Sequence, residues 1–352
     1  MTQGTATVVK NAGSHYLLSE IPLWNPFPAL LRGKIRLKGS KITNPVAVGD
    51  VVDFIREDGD GPAAITAIHP RRNYVIRRST NLSRQAHIIA ANVDMAYIVV
   101  SLYFPELKLP FLDRILVTCG MYGVPVTIVL SKVDLYRDFA AQQIEDFHRI
   151  YEGAGYRVIE TSTLTGEGID VLRSDIAGEA PALPDSAENY FSGRDPKNQF
   201  SASPLLRHPS HAGAPADSAP RISLLSGESG VGKSSLIKAI DPALDPKVGM
   251  ISEAHLQGKH TTSLYEMYHT RDGAFIVDSP GIRGFGLVDA GKEEIAKYFP
   301  EMLRVADSCR FVPCTHTHEP GCAVKAALED GSISPERYNS YLGMLEEDGK
   351  FR

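Results

Sequence analysis

The sequence predicts a multi-domain α/β protein. It divides into a small all-β barrel or sandwich, a helix-covered parallel sheet around a phosphate-binding loop, and a short, mainly helical C-terminal unit built on a metal site. Three observations carry this. Residues 1 to about 70 read as short strands separated by turn residues. From about 93 to 280, continuous apolar runs of strand length alternate with helical periodicity. Cys309, Cys314 and Cys322 then fall close together, with His316 and His318 among them.

In the first segment the strands are Ala6–Val9, Leu31–Leu37, Val51–Ile55 and Ala64–Ile68. Gly39-Ser40, Asn44-Pro45, Gly49-Asp50 and Asp58–Gly61 punctuate them. Arg32, Lys34, Arg36 and Lys38 recur at every second position, so a strand places all four on one face, at a spacing of roughly 7 Å. Such a row suits a phosphate backbone, and it also suits a plain solvated face. Residues 1–90 hold 12 Lys+Arg and 6 Asp+Glu, whereas the whole chain carries −5. A basic front on an acidic body points to a polyanionic partner or to unevenly charged surface.

In the second segment, Val93–Ser101, Val124–Leu130, Tyr156–Glu160, Arg221–Ser226 and Ala274–Val277 read as strands. Pro110 opens a helix with Leu112, Ile115, Leu116 and Cys119 on one stripe, which makes Cys119 a core residue. Phe139–Tyr151 is a second amphipathic helix, with Phe139, Ile144, Phe147 and Ile150 as its apolar points. Residues 181–220 contain 7 Pro, 7 Ala, 6 Ser and 2 Gly and read as a mobile insertion. Short helices follow at Glu293–Phe299, Ala323–Glu329 and Pro335–Leu345. The chain has no run of about 18 apolar residues and no apolar signal core at Met1–Lys10, so it is expected to be cytosolic.

Gly227-Glu228-Ser229-Gly230-Val231-Gly232-Lys233-Ser234 is G-x-x-x-x-G-K-S, between an apolar strand and a helix that begins near Ser235. Glycines let backbone N–H groups curl around phosphate oxygens, and the helix N-terminus adds its dipole. Lys233 is expected to reach the β- and γ-phosphates, and Ser234 to ligate Mg²⁺. Ser131-Lys132-Val133-Asp134 ends another strand in the form of a guanine-reading motif, the carboxylate meeting two N–H donors of the base. Ser162 and Thr163 sit where a Ser-Ala pair supports the base, or form a capping turn. Gly258–Thr262 resembles a switch segment in which Thr261 and Thr262 sense Mg²⁺ and γ-phosphate. Asp278-Ser279-Pro280-Gly281 fits D-x-x-G, with Asp278 toward Mg²⁺ and the Gly281 N–H toward the γ-phosphate. The guanine motif precedes the phosphate loop and the switches follow it, so a circularly permuted GTPase domain is the simplest account.

With these motifs the sequence resembles the RsgA (YjeQ) family of small-ribosomal-subunit biogenesis GTPases over nearly its whole length. The basic front, Asn81–Asp94, the permuted order, Gly258–Thr262 and Asp278–Leu287 carry the likeness, and Cys309–Val324 is its most specific piece. Ser131 stands where Asn or Thr is usual, and the 181–220 insertion is longer than expected. The resemblance implies an OB-fold over 1–75, a permuted GTPase domain over 76–290 and a zinc-binding domain over 291–352. It also implies GTP hydrolysis stimulated by the small (30S) subunit late in maturation, with Arg32, Lys34, Arg36 and Lys38 on 16S rRNA.

The Cys309, Cys314, Cys322 and His set is a closed, structural Cys3His zinc site. His316 matches the family pattern and His318 is its rival. Ile282 follows D-x-x-G where many GTPases have a water-orienting Gln, so slow intrinsic turnover is expected, with His260 as an internal substitute or a structural or RNA-facing group. A nucleotide kinase or ATPase sharing only the phosphate loop would leave Lys132 and Asp134 unexplained. A scaffold with a vestigial site would not need Lys233, Ser234 and Asp278. Nothing signals oligomerisation, and a monomer is the default.

Overall fold

The computed structural model describes residues 1–32, 45–57, 61–78, 86–179, 221–246, 265–279, 281 and 291–346. Five strands, β1 (Thr2–Ala12), β2 (His15–Ser19), β3 (Phe27–Leu31), β4 (Val51–Arg56) and β5 (Ala63–Ile68), run in the order β1-β2-β3-β5-β4, and β4 closes back on β1. This closed five-stranded order is that of an OB-fold. Alternate residues Ala6, Val8, Leu18, Val52, Phe54 and Ile65 fill the barrel. The expected strand Leu31–Leu37 meets β3 only at Leu31; residues 33–44 lie outside the described residues.

The hairpin β6 (Tyr74–Arg78) and β7 (Ala86–Ala91) leads into the core sheet. There β8 (Met95–Val100), β9 (Val126–Ser131), β10 (Arg157–Thr161), β11 (Ile222–Gly227), β12 (Tyr265–His269) and β13 (Phe275–Asp278) take the order β10-β9-β8-β11-β13-β12. All neighbours are parallel except β12 and β13. Every residue of β8, β9 and β11 is buried, because helices cover both faces of a parallel sheet. β12 also pairs antiparallel with β1, so core sheet and barrel are one continuous sheet.

The helices are α1 (Leu109–Met121), α2 (Arg137–Ala154), α3 (Ile169–Ala177), α4 (Lys233–Ile240), α5 (Lys292–Ile295), α6 (Pro300–Ala306), α7 (Ala323–Glu329) and α8 (Pro335–Glu346). Pro110 sits in the first turn of α1, where its missing N–H costs nothing. Leu112, Ile115, Leu116 and Cys119 are buried as expected. Phe139 departs from expectation. It is 62% exposed, because the backbone leaves helical geometry at Ala140 (φ −126°, ψ 26°) and turns the first residues of α2 away from the core. Its ring instead packs edge-on to Tyr103, 5.3 Å away. The insertion 181–220 lies outside the described residues, and none of the described helices is long and apolar enough to cross a membrane.

The C-terminal unit is held by a buried ion triad. Arg337 of α8 is 1% exposed. Its Nη1 donates to Asp113 Oδ1 of α1 at 2.6 Å and its Nε to Glu301 Oε1 of α6 at 2.7 Å. The guanidinium also lies 4.6 Å from the centre of the Phe299 ring, and near Tyr151 and Tyr156. Burial pushes the Asp113 carboxyl up while Arg337 pulls it down. Arg337→Ala would strand two carboxylates in an apolar site. It should lower the unfolding free energy by about 3–5 kcal/mol, read by urea denaturation; a loss below about 1 kcal/mol would show that the triad is solvated.

Candidate functional site

The phosphate loop is built by the end of β11 and the start of α4. Gly227 has φ 155°, and a Cβ there would stand 2.2 Å from the Val99 carbonyl oxygen, so only glycine lets the loop leave the sheet at this point. Gly232 precedes α4, which starts at Lys233. The Lys233 side chain is buried, and its Nζ donates to the carbonyls of Gly227 at 2.9 Å and Glu228 at 2.8 Å. Burial lowers its pKa while Asp278 and Glu228 raise it. Glu228 and Ser234 are half-buried, Val231 is buried, and Ser229, Gly230 and Ser235 are exposed along the rim.

Asp278 ends β13 beside this loop. Its Oδ1 is buried and has no hydrogen-bond partner among the described residues. Its carboxyl is pushed up to about 6, first by burial, with Lys233 opposing and Glu266 adding. An unpartnered carboxylate oxygen next to a lysine and a phosphate loop fits a hard divalent cation. Ser279 is buried and donates to the Leu225 carbonyl at 3.0 Å. A Cβ on Gly281 would stand 2.8 Å from Ser229 N, so Gly281 lies flush on the phosphate loop. Pro280, Ile282 and Gly258–Thr262, with His260, Thr261 and Thr262, lie outside the described residues.

Residues 131–134, nearly a hundred positions upstream, meet the loop directly. The Ser131 hydroxyl lies 2.9 Å from the Val100 carbonyl and 2.7 Å from the Val231 carbonyl. Lys132 is left-handed at φ 60°, and its Nζ donates to Gly230 O at 2.6 Å and Phe104 O at 2.8 Å. Val133 is buried; Asp134 lies in the short 3₁₀ turn that follows, half-buried. Ser131 is therefore a short tie between β8 and the loop, a role that its departure from the usual Asn or Thr does not reveal. The buried Ser162 hydroxyl accepts from Leu164 N at 3.2 Å and Thr165 N at 3.1 Å, which shapes the turn after β10; Thr163 is exposed. Tyr136, absent from the motif reading, donates to the Ser131 carbonyl at 2.8 Å.

A second cluster lies in the C-terminal unit. Cys309, Cys314, His316 and Cys322 each place one ligand atom within 4.8 Å of the others. His316 Nδ1 is 3.6 Å from Cys309 Sγ and 3.4 Å from Cys322 Sγ, and the two sulfurs are 3.9 Å apart. Zinc–sulfur bonds of about 2.3 Å and zinc–nitrogen bonds of about 2.0 Å give tetrahedral edges of about 3.5–3.8 Å, so the set can hold one zinc ion. His318 is exposed, with Nδ1 on the Thr317 hydroxyl, so His316 is the clustered histidine. His316 is left-handed at φ 57°, and Tyr338 OH donates to its carbonyl at 2.6 Å, while Tyr341 OH holds the Thr315 carbonyl at 2.7 Å. Burial pushes the Glu319 carboxyl up, but it accepts from the Thr315 hydroxyl and from the backbone N–H groups of Thr315 and Thr317, which hold it down at about 2. No motif spacing marks these tyrosines. Of the expected cation row, Arg32 is exposed at the end of β3, and Lys34, Arg36 and Lys38 lie outside the described residues.

The raised Asp278 value has a stability consequence. The folded value near 6 exceeds the unfolded value near 3.9, so this group's contribution is full below about pH 4 and is lost as pH rises through 6. At pH 7.5, Asp278→Asn should therefore stabilise the nucleotide-free protein by about 2–3 kcal/mol, falling to about a third of that at pH 4.5. Urea unfolding at both pH values checks this. An equal effect at the two would exclude the buried charge as its cause.

The comparisons with known proteins agree with this geometry. The RsgA GTPase family pattern matches residues 68–184 and 216–288. The small ribosomal subunit biogenesis GTPase RsgA of Bacteroides fragilis is 40% identical over 347 residues, 98% of each chain. The protein of the same name from Porphyromonas gingivalis is 39% identical over 349 residues, 98% of this chain and 97% of that one. Among solved structures, YjeQ from Thermotoga maritima is similar at a TM-score of 0.68 and 26% identity, covering 98% of both chains. The circularly permuted GTPase YloQ shares the fold at a TM-score of 0.62 and 24% identity, over 98% of this chain and 94% of that one. The phosphate loop, the strand-end motif that ties into it from upstream, and a likeness that spans the full length place this chain in the RsgA GTPase family, as a GTP-hydrolysing enzyme.

Proposed function

We propose that this protein binds the small ribosomal subunit in the cytoplasm and assists its late maturation, hydrolysing GTP to GDP and phosphate when the subunit stimulates it. One observation supports the nucleotide half of the reading: Ser131 and Lys132 close onto Val231 and Gly230 of the phosphate loop, which ties the turn that carries Asp134 to the loop that carries Lys233. An ATPase has no use for the strand-end carboxylate. The names of the relatives support the ribosomal half.

In this reading the backbone of Gly227–Ser235 holds the phosphates and Lys233 leaves its two carbonyl partners for the β- and γ-oxygens. Lys132 and Asp134 hold the guanine, supported by Val133, Ser162 and Thr163. Ser234, Asp278 and Thr262 would hold Mg²⁺, which draws charge from the phosphate oxygens when bound. The Gly281 N–H and Thr261 face the γ-phosphate. Lys233 and a water-orienting group are the catalytic positions. Ile282 cannot orient water, so His260 or the subunit supplies that group. Cys309, Cys314, His316 and Cys322 would hold one structural zinc. Arg32, Lys34, Arg36 and Lys38 would meet 16S rRNA from the barrel. The working domain division is 1–75, 76–290 and 291–352, in a monomer.

Small subunits should raise GTP hydrolysis at least tenfold over the isolated protein and leave ATP untouched. A phosphate-release assay with both nucleotides checks this, and equal use of ATP or no stimulation would refute the assignment. A strong chelator should release one zinc per chain and free the backbone amides of α6–α8 to exchange, while α1–α4 stay protected. Unchanged exchange after complete metal removal would argue against a structural ion.

A further inference from the structure

Glu266 is the middle member of a row of charged residues that crosses three strands. In the ladder between β12 and β13 it stands directly opposite Asp278, and in the ladder between β12 and β1 directly opposite Lys10. Directly opposed residues put their side chains on the same face, with Cβ atoms about 4.5–5.5 Å apart. Lys10 Nζ donates to Glu266 Oε1 at 2.7 Å. Beyond Asp278 lies Lys233 of the phosphate loop, whose charge acts on that carboxylate. The row therefore reads Lys233, Asp278, Glu266, Lys10. Two carboxylates face each other at its centre, a destabilising arrangement unless a cation is drawn to it. Among the described residues Asp278 keeps one buried oxygen unpartnered, while Glu266 is held by Lys10 of the barrel and by Tyr268 on its own strand.

We propose that Glu266 is a positioning residue for the magnesium side of the nucleotide site. Its carboxylate deepens the negative potential at Asp278, and Lys10 of the barrel sets how much of that potential a metal ion feels. The inference rests on the nucleotide reading above. Because Lys10 belongs to β1, any partner that draws the barrel strand from β12 strengthens the hold on Mg²⁺. The barrel and the metal site are thus linked through charge, across the one strand they share.

The test exploits sign. Glu266→Gln and Lys10→Met break the same ion pair, so a mere strut would shift both variants in one direction or neither. The readout is the Mg²⁺ concentration that half-maximally slows release of a fluorescent GDP analogue, with no turnover involved. Glu266→Gln should raise that concentration about three- to tenfold, and Lys10→Met should lower it by a similar factor. The swap of Lys10→Glu with Glu266→Lys restores the pair but not the carboxylate, and should remain weak for Mg²⁺. Shifts of the same sign, no shift, or rescue by the swap would overturn the proposal. Should Glu266→Gln fail to fold, the sign for Lys10→Met decides. If the unaltered protein did not bind the analogue at all, the nucleotide reading itself would fall; if it bound the analogue but released it independently of Mg²⁺, this proposal alone would fall.

Discussion

The double pairing of β12 is the constraint on which the molecule is organised. A strand with β13 on one edge and β1 on the other leaves no free edge between core and barrel. Its two faces then do different work. Tyr265 and Met267 join the large core that runs under β8, β9 and α2, while Glu266 lies on the face of Asp278 and Lys10. At its end, His269 forms a three-ring cluster with Trp24 of the barrel loop and Phe275 of β13, the centroids 5.5, 4.9 and 5.8 Å apart around the triangle. A barrel attached only by a linker would reorient freely. Here it is bonded to β12, the strand that also pairs with β13.

The C-terminal unit is fixed by different physics. It has a core of its own, in which Cys309 and Cys322 pack with Phe299, Met302, Ile333 and Tyr341. One helix, α8, serves both sides of it. Tyr338 and Tyr341 grip the backbone of the cysteine loop, while Arg337 reaches out to Asp113 on α1. Arg304 of α6 adds a hydrogen bond to the Gly153 carbonyl at the end of α2, at 2.6 Å. A metal ion that orders the cysteine loop thereby orders the surface that α8 presents to the GTPase core. The triad contributes geometry more than stability, since a buried ion pair recovers little beyond its own desolvation.

What could be read from the sequence was what is local. β8, β9 and β11 are continuous apolar runs because both of their faces are buried, and the phosphate loop and the cysteine cluster are each short segments whose chemistry is complete within them. β12 was not legible: Tyr-Glu-Met-Tyr-His mixes charge with aromatics because one of its faces carries the ionic row. Phe139 looked like core because helical spacing says nothing of a kink at Ala140. Arg337 sits in a helix that reads as polar, yet it is the most deeply buried charge of the C-terminal unit, and its partners lie 36 and 224 residues away. Register and long-range partnership are properties of the assembled sheet, and no window of sequence contains them.

The permuted motif order takes on a mechanical meaning in this frame. The turn at 131–134 and the phosphate loop are tied by Ser131 and Lys132, which joins two segments about a hundred residues apart in the chain. The proposed switch segments, 258–262 and 278–281, border β12 and β13 in the chain, and these strands lie at the opposite side of the sheet from β9 and β10. β12 is bonded to the barrel, and the chain beyond β13 continues directly into the C-terminal unit. The chain of the barrel enters the sheet at β8, next to β9, and the barrel reaches the β12 side through the pairing of β1 with β12, while the C-terminal unit is attached there by the chain itself.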